Sequence, residues 1–265
     1  MSEVTANGAT LYYEESGRGQ SLLFLHGMCG NADVWMDQAQ RLSPSYHCVT
    51  YDRRGHTRSP LPASDVPPGM VTLHADDAAQ LIERLGLAPC VLVSSSGGAR
   101  IAFDVVRRYP HLLRGAVLSE PPIFALDPEG GAELIATVKP AIGAAIARLG
   151  PTGAVDGFFS VVCPGLWDAI PETARERYRA NLPALWDDLN APQYQVTRAD
   201  LPAMRTPCLI IRGTESLPIF RRVTTTLAER LPNSQLLTLE GSGHVTYFEK
   251  PTEFAAAVMA FVERL

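Results

Sequence analysis

The chain has 265 residues, of which 46% are hydrophobic and 19% charged, and its formal net charge is −5. This balance is typical of a globular protein with a hydrophobic core, and it excludes a disordered chain. Acidic and basic residues are mixed without a Lys/Arg block, so neither nucleic acid nor an anionic membrane is expected as a partner.

Five cysteines are scattered through apolar segments: Cys29, Cys48, Cys90, Cys163 and Cys208. Because they form no C-x-x-C pair and have no metal-ligand spacing with histidine, we expect small buried thiols, no metal and no organic cofactor. The first 16 residues contain no basic start followed by an apolar run, and no apolar stretch approaches the ~18 residues of a membrane helix. We therefore expect a cytoplasmic protein.

The N-terminal half of the chain alternates between strand-like and helix-like segments. A hairpin is predicted around Asn7-Gly8, since this dipeptide tolerates the positive φ angles of a tight turn. Short apolar runs then predict strands at 21–26, 46–51, 90–94 and 116–119, separated by helical patterns at 33–42, 73–85 and 98–109. This alternation indicates βαβ units and a parallel sheet.

The alternation stops for about 85 residues, between Pro121 and Thr206. This stretch contains helical pieces at 133–149 and 172–181, several prolines and no convincing strand. The alternation then resumes with a strand at 208–212, a helix at 219–231, a strand at 235–239 and a helix at 252–265. We predict an α/β core of residues 1–122 and 207–265 with a helical cap, residues 123–206, inserted into it. The cap should cover the carboxyl ends of the strands, where open parallel sheets bind ligands.

A strand runs directly into a helix at residues 91–98, VLVSSSGG. A nucleophile in this setting occupies a sharp, strained turn, which requires small residues two positions before and two positions after it. Ser96 meets this requirement with Ser94 and Gly98, whereas either preceding serine would place a leucine or a valine in the tight position. Ser96 is therefore the candidate nucleophile; a Ser/Gly loop without chemistry, or a weak phosphate cradle, is the alternative.

Three further motifs accompany this turn in a fixed order. His26-Gly27 ends one predicted strand, the segment 52–59 (DRRGHTRS) follows the next, and the segment 241–244 (GSGH) follows a strand near the end of the chain. Each motif alone is weak, but the ordered set resembles the α/β-hydrolase family over essentially the whole chain. The resemblance implies a mostly parallel central sheet flanked by helices, and a serine hydrolase activity.

The resemblance also implies roles for individual residues. His244 would be the general base, because a hydroxyl such as that of Ser96 needs an adjacent base and imidazole exchanges protons near neutral pH. The oxyanion of the reaction needs fixed donors, for which the backbone N–H groups of Met28 and Gly97 are the candidates. His26 is expected to shape the loop that carries Met28.

The acid of the triad has two candidates. In most of the family it lies about three residues beyond a glycine after the cap, where this chain has Ser216. Glu215 is adjacent but one position early. Glu120 ends the strand that follows the nucleophile helix, which is the other placement of the acid known in the family. We prefer Glu120 over Glu215 as the acid. The alternative for Glu120 itself is an exposed carboxylate in a turn, which we consider the weaker interpretation. The resulting Ser–Glu–His set is similar to that of zearalenone-type lactone hydrolases.

The predicted cap carries several aromatic residues, of which Trp186, Trp167 and Phe158 are candidates to line a substrate pocket. An apolar pocket favours a hydrophobic ester or lactone as the small-molecule substrate. The resemblance implies that this substrate is cleaved through an acyl-enzyme on Ser96. We expect the protein to be a monomer or a homodimer. A serine nucleophile argues against the dehalogenases and epoxide hydrolases of this fold, which attack with aspartate. Two alternatives stay open: a carbon–carbon bond hydrolase on the same triad, and a catalytically silent ligand-binding receptor.

Overall fold

The computed structural model describes residues 2–63 and 67–265, and within them eight strands form a single sheet. Its order is β1-β2-β4-β3-β5-β6-β7-β8. The first two neighbouring pairs are antiparallel and all later pairs parallel, which confirms the predicted mostly parallel sheet. The strands are β1 Ser2–Ala6, β2 Ala9–Ser16, β3 Ser21–Leu25, β4 His47–Tyr51, β5 Cys90–Ser95, β6 Leu113–Ser119, β7 Cys208–Gly213 and β8 Ser234–Leu239.

The β1–β2 hairpin turns at Asn7 and Gly8, whose φ angles are 47° and 73°. A two-residue turn with positive φ at both positions matches the right-handed twist of the flanking strands. This is the turn that the Asn-Gly dipeptide predicts.

Helices cover both faces of the sheet, and the alternation of strand residues decides which face each one joins. Leu23 and Leu25 belong to a buried cluster with α2, α3 and α9, whereas Leu22 and Phe24 belong to a second cluster with α1 and α11. The helices are α1 Met36–Leu42, α2 Val71–Arg84, α3 Gly97–Arg108, α4 Pro128–Leu149, α5 Gly153–Val162, α6 Leu166–Ala169, α7 Glu172–Ala180, α8 Leu182–Asn190, α9 Pro218–Arg230, α10 Thr246–Glu249 and α11 Pro251–Val262.

The segment between β6 and β7 contains helices α4–α8. Its longest helix, α4, begins at Pro128, five positions before the predicted start, because the side chain of Asp127 caps it by accepting a hydrogen bond from the N–H of Gly130. Buried residues of α4, α5 and α8 join the same hydrophobic cluster as α2 and α3. The inserted helices therefore share one hydrophobic cluster with the core.

The carboxyl ends of strands β3, β5, β6, β7 and β8 meet at one edge of the sheet, because these strands are parallel neighbours. Every candidate catalytic residue follows one of these strand ends. Nowhere in the described part of the chain is a helix both long and apolar enough to cross a membrane. All five cysteines are buried and free, as their spacing predicts.

Candidate active site

Ser96 lies in the turn between β5 and α3 with a strained backbone, φ 53° and ψ −127°. Residues other than glycine rarely adopt backbone angles in this region, and holding such a residue there costs of order 1–3 kcal/mol. The turn also demands small neighbours, since a Cβ on Gly98 would lie 2.3 Å from the carbonyl oxygen of Leu25. Two positions before the turn, the buried Ser94 donates its hydroxyl to the Val117 carbonyl at 2.6 Å. The local structure thus presents the Ser96 side chain at the sheet edge.

His244 connects Ser96 to a carboxylate. Its Nε2 lies 2.9 Å from Ser96 Oγ, and its Nδ1 lies 3.3 Å from Oε2 of Glu120. With the proton on Nδ1, the ring donates to Glu120 and keeps Nε2 free to accept the serine proton. The ring of Phe220 packs over the imidazole at a centroid distance of 4.1 Å, which fixes its orientation.

Glu120 is fully buried at the end of β6 and is held by the loop that follows β7. Its Oε1 accepts the N–H of Gly213 at 2.9 Å, and its Oε2 accepts the hydroxyl of Ser216. Ser216, which occupies the position where most of the family carries its acid, is therefore a hydrogen-bond donor to Glu120. Glu215 is exposed and does not contact His244.

The loop after β3 passes directly beside the Ser96 turn. A Cβ on Gly27 would lie 3.2 Å from the Cβ of Ser96, and one on Gly97 would lie 3.4 Å from the backbone N of Met28. The backbone at Met28 therefore lies close to the backbone at Gly97, next to the serine. Two adjacent backbone donors beside a nucleophile form the arrangement that stabilises an oxyanion.

A sequence model of the alpha/beta hydrolase family matches residues 22–257 of this chain. The protein belongs to the α/β-hydrolase family. This assignment confirms both the resemblance and the fold that the motifs imply.

Two curated relatives match parts of this α/β hydrolase. "Uncharacterized hydrolase YraK" of Bacillus subtilis is 37% identical over 119 residues, which cover 45% of this chain and 44% of the relative. "Epoxide hydrolase 3" of Mus musculus is 33% identical over 127 residues, which cover 47% of this chain and 34% of the relative. Each alignment therefore spans less than half the length of the relative that it matches.

A thermophilic esterase from Thermogutta terrifontis has a similar solved structure, with a TM-score of 0.78 and 22% identity over 100% of this chain and 99% of the esterase. At that identity the likeness concerns the fold. The esterase and the epoxide hydrolase are named for different reactions, so the chemistry of this α/β hydrolase has to be argued from its own residues.

The carbonyl of Gly27 is anchored on three sides in this α/β hydrolase. It accepts hydrogen bonds from His26 Nδ1 at 2.9 Å, from Arg53 Nη2 at 3.3 Å and from the N–H of Gly30 at 3.3 Å. Since the peptide bond is planar, fixing this oxygen also fixes the direction of the Met28 N–H on the other side of the same peptide. His26 and Arg53 therefore hold the peptide that carries the Met28 N–H in place beside Ser96.

Arg53 lies in a buried polar cluster that reaches into the inserted helices. Its guanidinium contacts Asp188 of α8 at 3.2 Å and His56 Nε2 at 3.1 Å. Burial, together with the charge of Arg53, lowers the pKa of His56 to about 4 and that of His26 well below its usual value. Both imidazoles are therefore neutral at pH 7, and the carboxylate of Asp188 is the ion-pair partner of Arg53.

Glu249 of α10 fixes the backbone on both sides of His244. Its Oε2 accepts the N–H of Gly243 at 2.5 Å, and its Oε1 accepts the N–H of Val245 at 3.0 Å. The motifs described above predict no role for Glu249 or Arg53. The sequence signals by which these two residues can be found are a carboxylate five positions after the histidine and an arginine inside the DRRG motif.

Two cavities flank the reacting groups. The large cavity, of about 470 Å³, is lined by Ser96, Gly97 and mainly apolar residues of α4, α8 and the segment that includes Phe124. The aromatic cavity, of about 310 Å³, is lined by Phe159, Trp167, Tyr178, Tyr247 and Phe248 among others. A narrow space of about 40 Å³ at Ser96 and His244 lies between them and shares lining residues with both.

The three aromatic residues proposed for the substrate pocket lie in different surroundings. Phe158 lines the large cavity and the narrow space, and Trp167 lines the aromatic cavity. Trp186 lines neither cavity and is 37% exposed, because α8 turns Leu185 and Asp188 inward instead. The structure therefore does not support a pocket role for Trp186.

Proposed function

We propose that this α/β hydrolase cleaves a hydrophobic carboxylic ester or lactone through an acyl-enzyme on Ser96. The observation that carries this proposal is the continuous hydrogen-bonded chain from Ser96 Oγ through both ring nitrogens of His244 to Glu120. A strained turn that presents the serine beside two backbone donors supports the same chemistry.

In the first half of the reaction, Ser96 Oγ forms a bond to the carbonyl carbon while His244 Nε2 takes the hydroxyl proton. The Met28 and Gly97 N–H groups stabilise the resulting oxyanion, and the carboxylate of Glu120 stabilises the imidazolium. The intermediate then breaks its bond to the alcohol oxygen, to which His244 returns the proton. In a lactone this alcohol stays attached to the acyl group.

In the second half, water attacks the acyl-enzyme and gives one proton to His244. The bond to Ser96 Oγ breaks, the serine regains its proton and a carboxylic acid is released. Neither half needs a metal or an organic cofactor. The relative named an epoxide hydrolase does not change the proposal, because the nucleophile position of this chain carries Ser96 instead of the aspartate that epoxide hydrolases use.

The apolar cavities on both sides of Ser96 support a hydrophobic substrate with two parts. Ligand sites bury most of their ligand against apolar side chains and fix its orientation with a few polar groups. The aromatic cavity adjoins Val245 and Tyr247, next to the base that protonates the leaving alcohol. We therefore assign the alcohol to the aromatic cavity and the acyl chain to the large cavity.

The test is turnover of p-nitrophenyl esters of increasing acyl length by the wild type, Ser96→Ala and the matched control Ser95→Ala. Ser96→Ala should lose ester turnover and fluorophosphonate labelling while its circular dichroism and melting temperature stay close to those of the wild type. Ser95→Ala should keep substantial activity. Equal loss in two folded variants, or labelling at a peptide without Ser96, would refute the assignment of the nucleophile.

A further inference from the structure

Arg100 lies in the first turn of α3, four positions after Ser96, and both residues line the large cavity. Its backbone N–H donates to the Ser96 carbonyl at 3.1 Å, and its side chain lines the large cavity together with Ser96 and Gly97. Its Nε is buried and has no hydrogen-bond partner among residues 2–63 and 67–265. Burying a guanidinium donor without a partner is costly, so its presence in a cavity needs an explanation.

The residues around Arg100 leave one positive charge without a counter-charge. Asp188 is the only carboxylate that lines the large cavity within the described chain, and it is paired with Arg53 at 3.2 Å. His26, His56 and His74 add no charge, because burial lowers the pKa of each below its usual value. Arg53 does not itself line the cavity, but together with Arg100 and Asp188 it forms a buried group of two arginines and one aspartate whose net charge is +1, suited to one anion.

The remainder of the large cavity is mostly apolar. Its lining includes Phe124, Leu134, Val138, Phe158 and Phe220. Such a lining binds a hydrocarbon chain and offers nothing to a second charged group. A ligand that matches the cavity therefore combines an apolar chain with a single negative end.

We propose that Arg100 binds a carboxylate at the far end of the acyl chain, so that the preferred substrates are half-esters of aliphatic dicarboxylic acids. This inference rests on the proposed function. A guanidinium pairs with a carboxylate through two parallel hydrogen bonds, which give both affinity and orientation. Water then converts the half-ester into a dicarboxylic acid and an alcohol by the acyl-enzyme route described above.

The position of Arg100 sets the geometry of this recognition. It lies four positions after Ser96, a rise of about 6 Å along the helix axis. An acyl group bonded to Ser96 Oγ can extend along α3 towards the guanidinium, whereas the alcohol leaves on the His244 side. A chain of several methylenes is thus held at both ends, by the oxyanion donors and by Arg100.

The test compares two p-nitrophenyl esters of equal chain length, the adipate half-ester and the hexanoate, which differ only in the terminal carboxylate. Glutarate with pentanoate and suberate with octanoate cover shorter and longer chains. For each pair we divide kcat/KM for the half-ester by kcat/KM for the neutral ester, and we compare this ratio between the wild type and Arg100→Met. The methionine keeps a long apolar side chain without the charge. The matched control is Arg148→Met, an exposed arginine at the end of α4.

In Arg100→Met this ratio should fall by about 10- to 100-fold for at least one chain length, the effect of losing a hydrogen-bonded charge partner. The loss should appear mainly in the KM of the half-ester, and Arg100→Lys should restore part of it. Adipate, the product, should inhibit the wild type more strongly than Arg100→Met. Arg148→Met should leave the ratio unchanged.

Two results would overturn the inference: a ratio that Arg100→Met leaves unchanged at every chain length, or an equal loss on charged and neutral esters. The second result would make Arg100 a structural residue. Failure of the proposed function looks different, because no p-nitrophenyl ester would then be hydrolysed in a way that depends on Ser96. Hydrolysis of hexanoate that Ser96→Ala abolishes, without any effect of Arg100 on the ratio, would retain the proposed function and reject only the anion site.

Discussion

The carboxyl edge of the sheet and the inserted helices contribute to one site by different means. At the sheet edge, Ser96 and Glu120 directly follow β5 and β6, and His244 follows β8 by five positions. The strand order places the ends of β5 and β6 side by side, whereas His244 reaches them from β8 on the loop that follows this strand. The insertion supplies Phe158 and Asp188 through the packing of short helices, which depends on contacts far apart in the sequence. Candidate catalytic groups can therefore be located from local sequence, whereas the lining of the cavities requires the tertiary structure.

The largest expected effect tests the sheet edge. Glu120→Gln keeps the size of the side chain but removes the charge that stabilises the imidazolium, so kcat should fall by on the order of 10³–10⁴. Steady-state kinetics with a p-nitrophenyl ester measures this change. The control, Glu215→Gln, alters an exposed carboxylate and should cost less than about tenfold, which is under 1.4 kcal/mol. The opposite ranking in folded variants would assign the acid to Glu215.

The second prediction concerns the contact between the two regions. Asp188→Ala leaves the buried guanidinium of Arg53 without its counter-charge, and it should lower the free energy of unfolding by about 3–5 kcal/mol. Urea denaturation measures the loss. The neighbouring Asp187→Ala, on a less buried side chain, should change stability far less. Similar losses of stability in both variants would show that the Arg53–Asp188 pair does not link the inserted helices to the loop that carries Met28.

The third prediction uses pH to probe the same buried cluster. The folded protein keeps His56 neutral because burial lowers its pKa to about 4, whereas in the unfolded chain histidine binds a proton near pH 6.5. The unfolded state therefore binds more protons between these values, and the free energy of unfolding should decrease as the pH falls from 6.5 towards 4. Between pH 7 and pH 5 the contribution of His56 is about 2 kcal/mol.

His56→Gln provides the control for this pH dependence, since glutamine does not titrate in this range. Urea denaturation at pH 7 and at pH 5 should show a smaller difference in the variant than in the wild type. The same pH dependence in both proteins would assign the acid sensitivity to other groups.

The smallest expected effect lies within the insertion. Phe158→Ala enlarges the space beside Ser96 and should shift the preferred acyl chain length, changing relative kcat/KM values by about tenfold, or 1.4 kcal/mol. Trp186→Ala removes a partly exposed side chain outside both cavities and should leave the chain-length profile unchanged. A clear change of profile in Trp186→Ala, with none in Phe158→Ala, would reverse the assignment of the lining residues.

The sequence predicted the sheet well because each strand is a short apolar run bounded by turn residues. The predicted strand at 90–94 corresponds to Cys90–Ser95. The start of β6 was predicted three residues late, since Arg114 and Gly115 interrupt the apolar run of Leu113–Ser119. The four-residue helix α10 was missed, because one helical turn carries no periodic signal.

The candidate site was predictable only where a residue stands at a strand end. Ser96, Glu120 and His244 meet this condition, and the structure brings all three together. Asp188 could not be found in this way, because its partner Arg53 lies 135 positions earlier in the chain. Trp186 was named for its residue type alone, and residue type does not determine which side of α8 faces inward.

The hydrogen bond between Ser216 and Glu120 shows how close together the two possible positions of the acid lie in this fold. Glu120 reaches His244 from the end of β6, while position 216, where most of the family carries its acid, already contacts the same carboxylate. An acid at position 216 would lie beside the carboxylate of Glu120, and like charges so close share a proton and leave one of them ionised. In the proposed triad, one ionised carboxylate is all that the histidine requires. The acid of the proposed triad can therefore stand after either of two neighbouring strands while the serine and the histidine stay in place.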